Sequence, residues 1–455
     1  MIMIKMKKSR AALLLAVMLS AILVLCLSAC TLVNDGGAEQ EIYFLNFKPE
    51  VAEVYEEIAK KYKEETGVTL KVVTAAANTY EQTLKSEIAK SDAPTIFQIN
   101  GPLGYSAWKD YCDDMSESKI YEYLSDKSLA IKSGDGVYGI PYVVEGYGII
   151  YNEEITDRYF ALSDRKTDIS SMDEVNSFSE LRAVVEDMTS RLSELGIDGV
   201  FASTSLKPGD DWRWQTHLAN LPVYYEFKDK DVDLTGVNVS KIDFSYGDNY
   251  KAIFDLYILN SVTEPGKLGT KLVSDSMSEF ALGRCAMVQN GTWAWNDIKG
   301  VDGNVVKAEK IKMLPIYMGV EGEEKQGLCI GTENYLAVNS QVSEDKQKMS
   351  YDFLDWLFSS ETGKKYVTEK LGFSTPFSTF GVNETPADPL AKEVKRYMSE
   401  GDTENVGWVF TVFPGTVFKE NFGAALLSYV QGKNSFDDVK RIFRESWERE
   451  SSLLK

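Results

Sequence analysis

The order of strands and helices at the start of the folded region constrains the architecture most. Residues 41–46 and 68–73 are short apolar segments with strand character, and 95–99 is a third. Between the first two, apolar side chains recur at helical spacing until Gly67, and a second helix is predicted to begin after Thr79. Strands that alternate with helices tend to pair in parallel beneath those helices, so the sequence predicts an α/β fold.

The alternation continues to the end of the chain. A length of 455 residues is too great for one hydrophobic core, so we expect at least two domains. A serine followed three residues later by an acid is typical of helix starts, because side chain and backbone then bond reciprocally. This pattern begins at Ser177, Ser276 and Ser435. The helix after Ser435 is predicted to turn Phe443 and Trp447 inward.

The first forty residues have the layout of an export signal and a tether. Four Lys or Arg side chains near the N-terminus precede an almost unbroken apolar run over 11–27. The run is long enough to span a bilayer, but the sequence LSAC at 27–30 follows it directly and resembles the lipobox of bacterial lipoproteins. We therefore predict a lipoprotein signal peptide over 1–29, lipidation of Cys30 and a lipid-anchored linker over 30–40. The mature protein is expected to be extracytoplasmic, anchored by lipid to the bacterial cell membrane.

Charge and reactive side chains argue against several function classes. The formal net charge of −20 repels phosphate backbones and anionic membrane surfaces, so nucleic acid is not an expected partner and only the lipid should contact the membrane. His217 is the single histidine, and no nucleophile or phosphate-binding motif accompanies it, so we interpret it as a structural or rim residue. Cys112, Cys285 and Cys329 are widely spaced, which favours buried thiols. We expect neither a metal nor a cofactor.

Aromatic side chains, 12% of the chain, stand in polar surroundings at two places. Trp212 and Trp214 flank an arginine after two aspartates, and Trp293 and Trp295 follow a glycine and a threonine. Indole faces beside hydrogen-bonding groups suit a sugar, which offers flat CH surfaces and hydroxyl groups. The alternative is that these indoles only close the hydrophobic core, as tryptophans commonly do.

Two long segments resemble one protein family. Residues 139–152 look like the strand by which the extracellular solute-binding proteins of ABC sugar importers, of the maltose/maltodextrin-binding type, cross from one lobe to the other. Residues 280–295 look like the returning segment of that family, and 314–315 with 327–339 fit the next crossing.

The resemblance implies a two-lobed, periplasmic-binding-protein-like fold of type II, with a ligand cleft between the lobes. The first lobe would comprise 41–148 plus 273–332. The second lobe would comprise 149–272 plus 333–455.

The resemblance also implies a set of ligand-binding side chains. Trp293 corresponds to an indole that stacks on a sugar ring, and Glu145 to a carboxylate that accepts hydrogen bonds from sugar hydroxyls. After the third strand the maltose type has an acid and an arginine, whereas this chain has neutral amides, of which Asn100 can both donate and accept. Maltose is therefore not the expected sugar. The full expected set is Asn46, Lys48, Asn100, Glu145, Asp211, Trp212, Trp293, Trp295 and Trp408.

The resemblance implies capture of an oligosaccharide by lobe closure and its delivery to the permease subunits of an ABC transporter, without chemistry on the ligand. We expect a monomer and not an enzyme. Three alternatives stay open from the residues alone. A lipid-anchored glycoside hydrolase needs only two carboxylates, a sensor would use the same capture step, and the acidic charge also suits a binding protein for a non-sugar solute such as a polyamine or peptide.

Overall fold

The computed structural model describes residues 40–76, 79–232, 239–381, 383–401 and 403–453. The predicted signal peptide, Cys30 and the linker up to residue 39 lie outside these described residues. No helix within the described ranges combines the length and the apolar character that a bilayer crossing requires.

Strands of the described residues form two mixed sheets, each covered by helices. The strands are β1 (Glu41–Asn46), β2 (Thr69–Thr74), β3 (Ile96–Asn100), β4 (Ile131–Ser133), β5 (Gly136–Pro141), β6 (Glu145–Asn152), β7 (Gly199–Phe201), β8 (Cys285–Gly291), β9 (Ile311–Leu314), β10 (Gln326–Gly331), β11 (Asn334–Val338) and β12 (Glu404–Gly407). The helices are α1 (Ala52–Thr66), α2 (Tyr80–Glu87), α3 (Gly101–Trp108), α4 (Lys119–Tyr123), α5 (Glu153–Phe160), α6 (Phe178–Thr189), α7 (Leu192–Leu195), α8 (Ala219–Asp229), α9 (Gly247–Leu259), α10 (Val273–Ala281), α11 (Ala294–Lys299), α12 (Glu344–Ser359), α13 (Glu361–Lys365), α14 (Pro389–Ser399), α15 (Thr416–Val430) and α16 (Phe436–Leu453).

The first sheet has the strand order β2-β1-β3-β11-β5-β4. β1 pairs in parallel with both β2 and β3, which confirms the prediction from the alternating pattern. α1 and α2 make this possible, because a parallel pair needs a crossover connection that returns the chain to the same edge. β11 enters much later in the chain and runs antiparallel between β3 and β5.

α1 illustrates why the local pattern predicted these elements well. Tyr55, Ile58 and Tyr62 share one side of the helix and are buried in the core of the first sheet. Gly67 then adopts a left-handed conformation with φ 79°, which suits glycine because it has no Cβ, and the helix ends there.

The second sheet has the order β12-β10-β6-β8-β7, with β9 also paired to β6. β6 lies at its centre, and all eight of its residues are buried. Its side chains alternate between two cores, because Tyr147 and Ile149 enter the larger one and Ile150 the smaller one on the opposite face. Each sheet thus has its own hydrophobic cores, and the molecule consists of two α/β lobes, as expected.

Within the described residues, three chain segments connect the two lobes. Residues 142–144 join β5 of the first sheet to β6 of the second, and 332–333 join β10 of the second sheet to β11 of the first. The chain returns to the second lobe through 383–388, between Phe377, which packs in the core of the first lobe, and α14, which packs on the second.

This topology differs from the predicted division of the chain. Residues 273–332 were assigned to the first lobe, but β8, β9 and β10 all lie in the second sheet. Residues 333–455 were assigned to the second lobe, but β11 and the helices α12 and α13 belong to the first. The first boundary is displaced by a few residues, since β6 already begins at Glu145. Strands buried on both faces have the same apolar pattern in either sheet, so the pattern does not show which partners they will have.

The predicted helix starts had two outcomes. Ser177 and Ser435 each accept a hydrogen bond from the backbone amide three residues later, which confirms those caps. The prediction at Ser276 was wrong, because α10 begins at Val273. The Asp275 carboxylate instead accepts a hydrogen bond at this helix start, from the backbone amide of Leu272 just before the helix, at 2.8 Å. Ser276 lies inside the helix.

Candidate functional site

The end of β1 positions the first pair of charged side chains between the lobes. The Asn46 side chain holds the following turn, since its amide donates to the Lys48 carbonyl (2.7 Å) and its oxygen accepts from the Lys48 amide (3.1 Å). This turn directs the Lys48 ammonium onto Glu145, where Nζ and Oε1 are 2.7 Å apart. Both side chains are buried, and Glu145 is the first residue of β6. The ion pair therefore joins the first lobe to the second beside the first connection.

The surroundings of Lys48 stabilise its positive charge. Burial alone lowers the pKa of Lys48, but attraction by Glu145 and by Glu50 outweighs this and raises the pKa above its ordinary value. Glu50 lies 3.7 Å from Nζ, and burial raises the pKa of the Glu50 carboxyl. Lys48 is thus a cation at neutral pH that is shared by two acids.

The second connection carries an acid that the sequence prediction missed. Glu333 accepts a hydrogen bond from Asn100 at the end of β3, with Nδ2 and Oε1 2.6 Å apart. Burial raises the pKa of Glu333, while Asn100 and the charge of Lys419 lower it in part. An acid does stand beside the neutral amides, but it comes from a segment more than two hundred residues away. We call Lys48, Glu50, Asn100, Glu145 and Glu333 the polar cluster.

The third connection ends at Asp388, whose buried carboxyl caps the start of a helix. Asp388 accepts hydrogen bonds from the amides of Leu390 (2.8 Å) and Ala391 (3.1 Å) at the start of α14. Burial nevertheless raises the pKa of Asp388 to about 6. Its acceptor capacity is used mainly to begin the helix.

Facing the polar cluster is a group of six rings that we call the aromatic cluster. His217 is at its centre, with ring centroids at 4.6 Å from Tyr147, 4.9 Å from Trp212 and 5.3 Å from Trp293. Phe410 and Trp408 complete it, at 4.9 Å and 6.3 Å from His217. Every member comes from the second lobe. Sequence analysis named Trp212, Trp293 and Trp408, and the structure brings these three together.

His217 is a neutral ring in this setting. Burial lowers its pKa to about 3, and the neighbouring positive charge of Arg213 acts in the same direction. Its Nδ1 lies 2.9 Å from the Thr216 hydroxyl, and its backbone carbonyl accepts from the Tyr147 hydroxyl at 2.9 Å. A wide π-helical turn over Arg213–Leu218 places it beside Trp212. The sequence interpretation as a structural or rim residue did not identify this central position.

The other predicted site residues lie differently. Trp295 packs against the smaller core of the second lobe and makes no ring contact with the aromatic cluster. Asp211 is buried, accepts from the Gly209 amide at 3.1 Å within its own loop, and lies so close to Gly423 of α15 that a Cβ there would collide with it. The structure thus gives Asp211 contacts within the second lobe.

The two lobes meet around a small cavity in this conformation. A Cβ at Gly101 would lie 3.1 Å from Cβ of Thr411, so α3 of the first lobe touches the segment after β12 of the second. One cavity between the described parts of the two lobes has a volume of about 20 Å³, which is room for about one water molecule. It is lined by residues that include Glu50, Glu145, Thr292, Trp293, Asn296 and Asp388. A sugar fits at this place only if the lobes separate.

Several buried polar atoms at this interface have no hydrogen-bond partner among the described residues. They include the indole nitrogens of Trp293 and Trp408 and the hydroxyls of Thr292 and Thr332. Such atoms are costly to bury unless a ligand or solvent molecule completes their hydrogen bonds. They fit hydroxyl-rich ligands. No group of acids, histidines or cysteines in the described ranges has the arrangement of a metal site.

Comparison with known proteins places these features in a family. Residues 57–393 match the family described as bacterial extracellular solute-binding protein. A search of curated proteins found no match.

Solved structures share the fold over nearly the whole chain. A chitin oligosaccharide binding protein is 16% identical, with 91% of this chain and 100% of that chain covered and a TM-score of 0.68. A sugar transporter from Bacillus licheniformis in complex with stachyose is 15% identical, with 90% and 100% covered and a TM-score of 0.64. Maltose-bound MalE3 from T. maritima is 14% identical, with 91% and 100% covered and a TM-score of 0.65.

Proposed function

Because this chain belongs to the bacterial extracellular solute-binding proteins, we propose that it captures an oligosaccharide between its two lobes for transport. The aromatic cluster supports this proposal most directly. Trp212, Trp293 and Trp408 come from three distant segments and converge at the interface of the lobes. Indole faces bind the apolar faces of sugar rings, and the polar cluster opposite them supplies acceptors and donors for hydroxyl groups.

The structural neighbours support a sugar as the solute class. Their descriptions name chitin oligosaccharide, stachyose and maltose. One sugar face on an indole contributes about 1.5–3 kcal/mol. Two such contacts and a few hydroxyl hydrogen bonds give micromolar affinity, about −8 kcal/mol, after the costs of ordering.

Capture requires an open form and a closed form. A sugar that docks on the aromatic cluster of an open protein favours closure, since the polar cluster then completes its hydrogen bonds. The closed form is the one that we expect the permease subunits of an ABC transporter to bind. We expect the ligand to leave the site chemically unchanged, because the family is one of binding proteins.

The proposal includes the cellular location predicted for the protein. A signal peptide over 1–29 and a lipid on Cys30 would hold a monomer at the outer face of the bacterial cell membrane, where an extracytoplasmic solute is accessible. Metabolic labelling with a radioactive fatty acid should mark the wild type, and the change Cys30→Ser should abolish the label.

A binding experiment tests the function. A thermal-shift screen over neutral and charged oligosaccharides should find a sugar that raises the melting temperature, because only the native state binds it. Trp293→Ala should weaken calorimetric binding of that sugar at least tenfold. Trp295→Ala is the matched control, as its indole belongs to the same segment but packs on another core.

Two results would contradict this proposal. Equal affinities of the wild type and Trp293→Ala would remove the aromatic cluster from the site. Appearance of shortened sugars during incubation, followed by chromatography, would indicate a glycoside hydrolase instead.

A further inference from the structure

Arg213 is a buried cation whose donors are unused within the protein. It lies between Trp212 and Trp214, and only 1% of its surface is exposed. Nε and both terminal nitrogens lack a hydrogen-bond partner among the described residues. The guanidinium carbon is 4.7 Å from the centre of the Trp212 ring, so the cation rests on an aromatic face.

Such an arrangement is unfavourable. A guanidinium has five N–H donors and stays protonated, so its burial without acceptors is costly. The pKa of Arg213 is lowered to about 10 by burial, even though Asp297 and Asp210 attract the charge. Neither aspartate hydrogen-bonds to the guanidinium, so its charge has nearby acids but no bonded acceptor in the described structure.

The position of Arg213 connects it to the aromatic cluster. Trp212, on which it rests, is 6.0 Å from Trp293 between ring centroids. Burial raises the pKa of Asp297 in α11, two residues after Trp295, and the nearby charge of Arg213 offsets part of that rise. The guanidinium thus lies at the edge of the aromatic cluster that faces α11, where a substituent of a stacked sugar ring can meet it.

Two other cations lie near the site. Lys48, in the turn after β1, is hydrogen-bonded to Glu145 at 2.7 Å, and Lys419 of α15 is only partly buried. Arg213 alone among these three is buried with all its side-chain nitrogens unbonded in the described structure.

We propose that the transported solute is an acidic oligosaccharide, and that Arg213 binds its carboxylate or sulfate group. This inference rests on the proposed function. A guanidinium presents parallel N–H groups that match two oxygens of an oxyanion, which a hydroxyl cannot do. Hydroxyls of a neutral sugar would accept single hydrogen bonds but leave the buried charge uncompensated.

Matched pairs of sugars test the inference with the wild-type protein. Calorimetry would compare oligogalacturonate with its carboxyl-reduced form, and a sulfated chondroitin oligosaccharide with its desulfated form. We expect one acidic member to bind at least tenfold more tightly than its counterpart, and the pair concerned identifies carboxylate or sulfate as the group. Arg213→Gln should reduce this preference to threefold or less, whereas Arg284→Gln, at an exposed ion pair with Asp198, should leave it unchanged.

The outcomes separate the two proposals. Equal or tighter binding of the carboxyl-reduced and desulfated members, or a preference that survives in Arg213→Gln, overturns the role of Arg213 but leaves sugar capture in place. If no carbohydrate binds, the proposed function itself fails, and the inference with it. Should Arg213→Gln not fold, the wild-type comparison of matched pairs decides the question alone.

Discussion

The aromatic cluster and the polar cluster form opposite sides of one interface, yet they are built in different ways. The aromatic cluster belongs entirely to the second lobe, and its rings pack against one another around His217. The polar cluster comes from the first lobe, from the second connection and from Glu145 at the start of β6, and it is held by charges and hydrogen bonds. Neither side alone offers both a stacking face and hydroxyl partners, so closure of the lobes completes the site.

The two clusters should also contribute differently to the stability of the folded state and to the affinity for the ligand. Lys48 and Glu145 link the lobes in the absence of a ligand, so the polar cluster should contribute most to the folded state. Trp293 and Trp408 are only partly buried, so their loss should affect the bound state more.

Removal of one partner of the buried ion pair should have the largest effect. Lys48→Met leaves Glu145 buried without its cation, and we expect the free energy of unfolding to fall by about 3–5 kcal/mol. Urea denaturation measures this change. The double variant Lys48→Met/Glu145→Gln should recover much of it, since no unpaired charge is left. A single variant that costs less than about 1 kcal/mol would show that the pair is hydrated and not a link between the lobes.

The pH dependence of stability should report the neutral state of His217. The unfolded histidine has a pKa near 6.5, and the folded one about 3. As pH falls from 7 to 5, the unfolded state gains a proton that the folded state does not, so the wild type should lose about 2 kcal/mol from this group. His217→Gln should lack this component, while the carboxyls contribute equally to both proteins. Parallel curves for the two proteins would mean that His217 titrates normally in the fold.

Trp408 should matter for affinity and little for folding. Trp408→Leu removes a ring that contacts Tyr147 and Phe410 at 5.6 Å and 5.1 Å. We expect five- to tenfold weaker binding of the best sugar, roughly 1–1.4 kcal/mol, from the lost apolar contact. Trp356→Leu, on the first lobe, is the control and should bind normally. If both variants lose affinity equally, the effect is on folding.

The smallest effect is expected at Glu333. Because burial raises its pKa, the charged carboxylate is disfavoured in the fold at neutral pH. Glu333→Gln can retain a hydrogen bond to Asn100, so the free energy of unfolding at pH 7 should rise, by less than about 1 kcal/mol. The gain should shrink as pH falls, because the wild-type carboxyl becomes protonated. A loss of stability would indicate that Lys419 requires the negative charge.

Local patterns predicted much of the fold and part of the site. The strands β1 to β3, α1 with its glycine stop, and the caps at Ser177 and Ser435 depend on neighbours a few residues away, and they were predicted correctly. Trp293 and Trp295 look equivalent by composition, but helical geometry sends one toward the cleft and the other into a core. Composition alone does not distinguish them, and the stacking role of Trp293 was expected only from the resemblance to the family.

The α/β alternation could be read from the amino-acid sequence, because strand and helix periods and turn residues are local properties. The family resemblance and the tryptophans in polar surroundings were also visible there. The assignment of β8 to β10 to the second sheet, the contact of Glu333 with Asn100 and the central position of His217 in the aromatic cluster became known only from the folded structure. These contacts join residues far apart in the chain. Their geometry follows from how two sheets and three connections pack, and spacing along the sequence does not encode it.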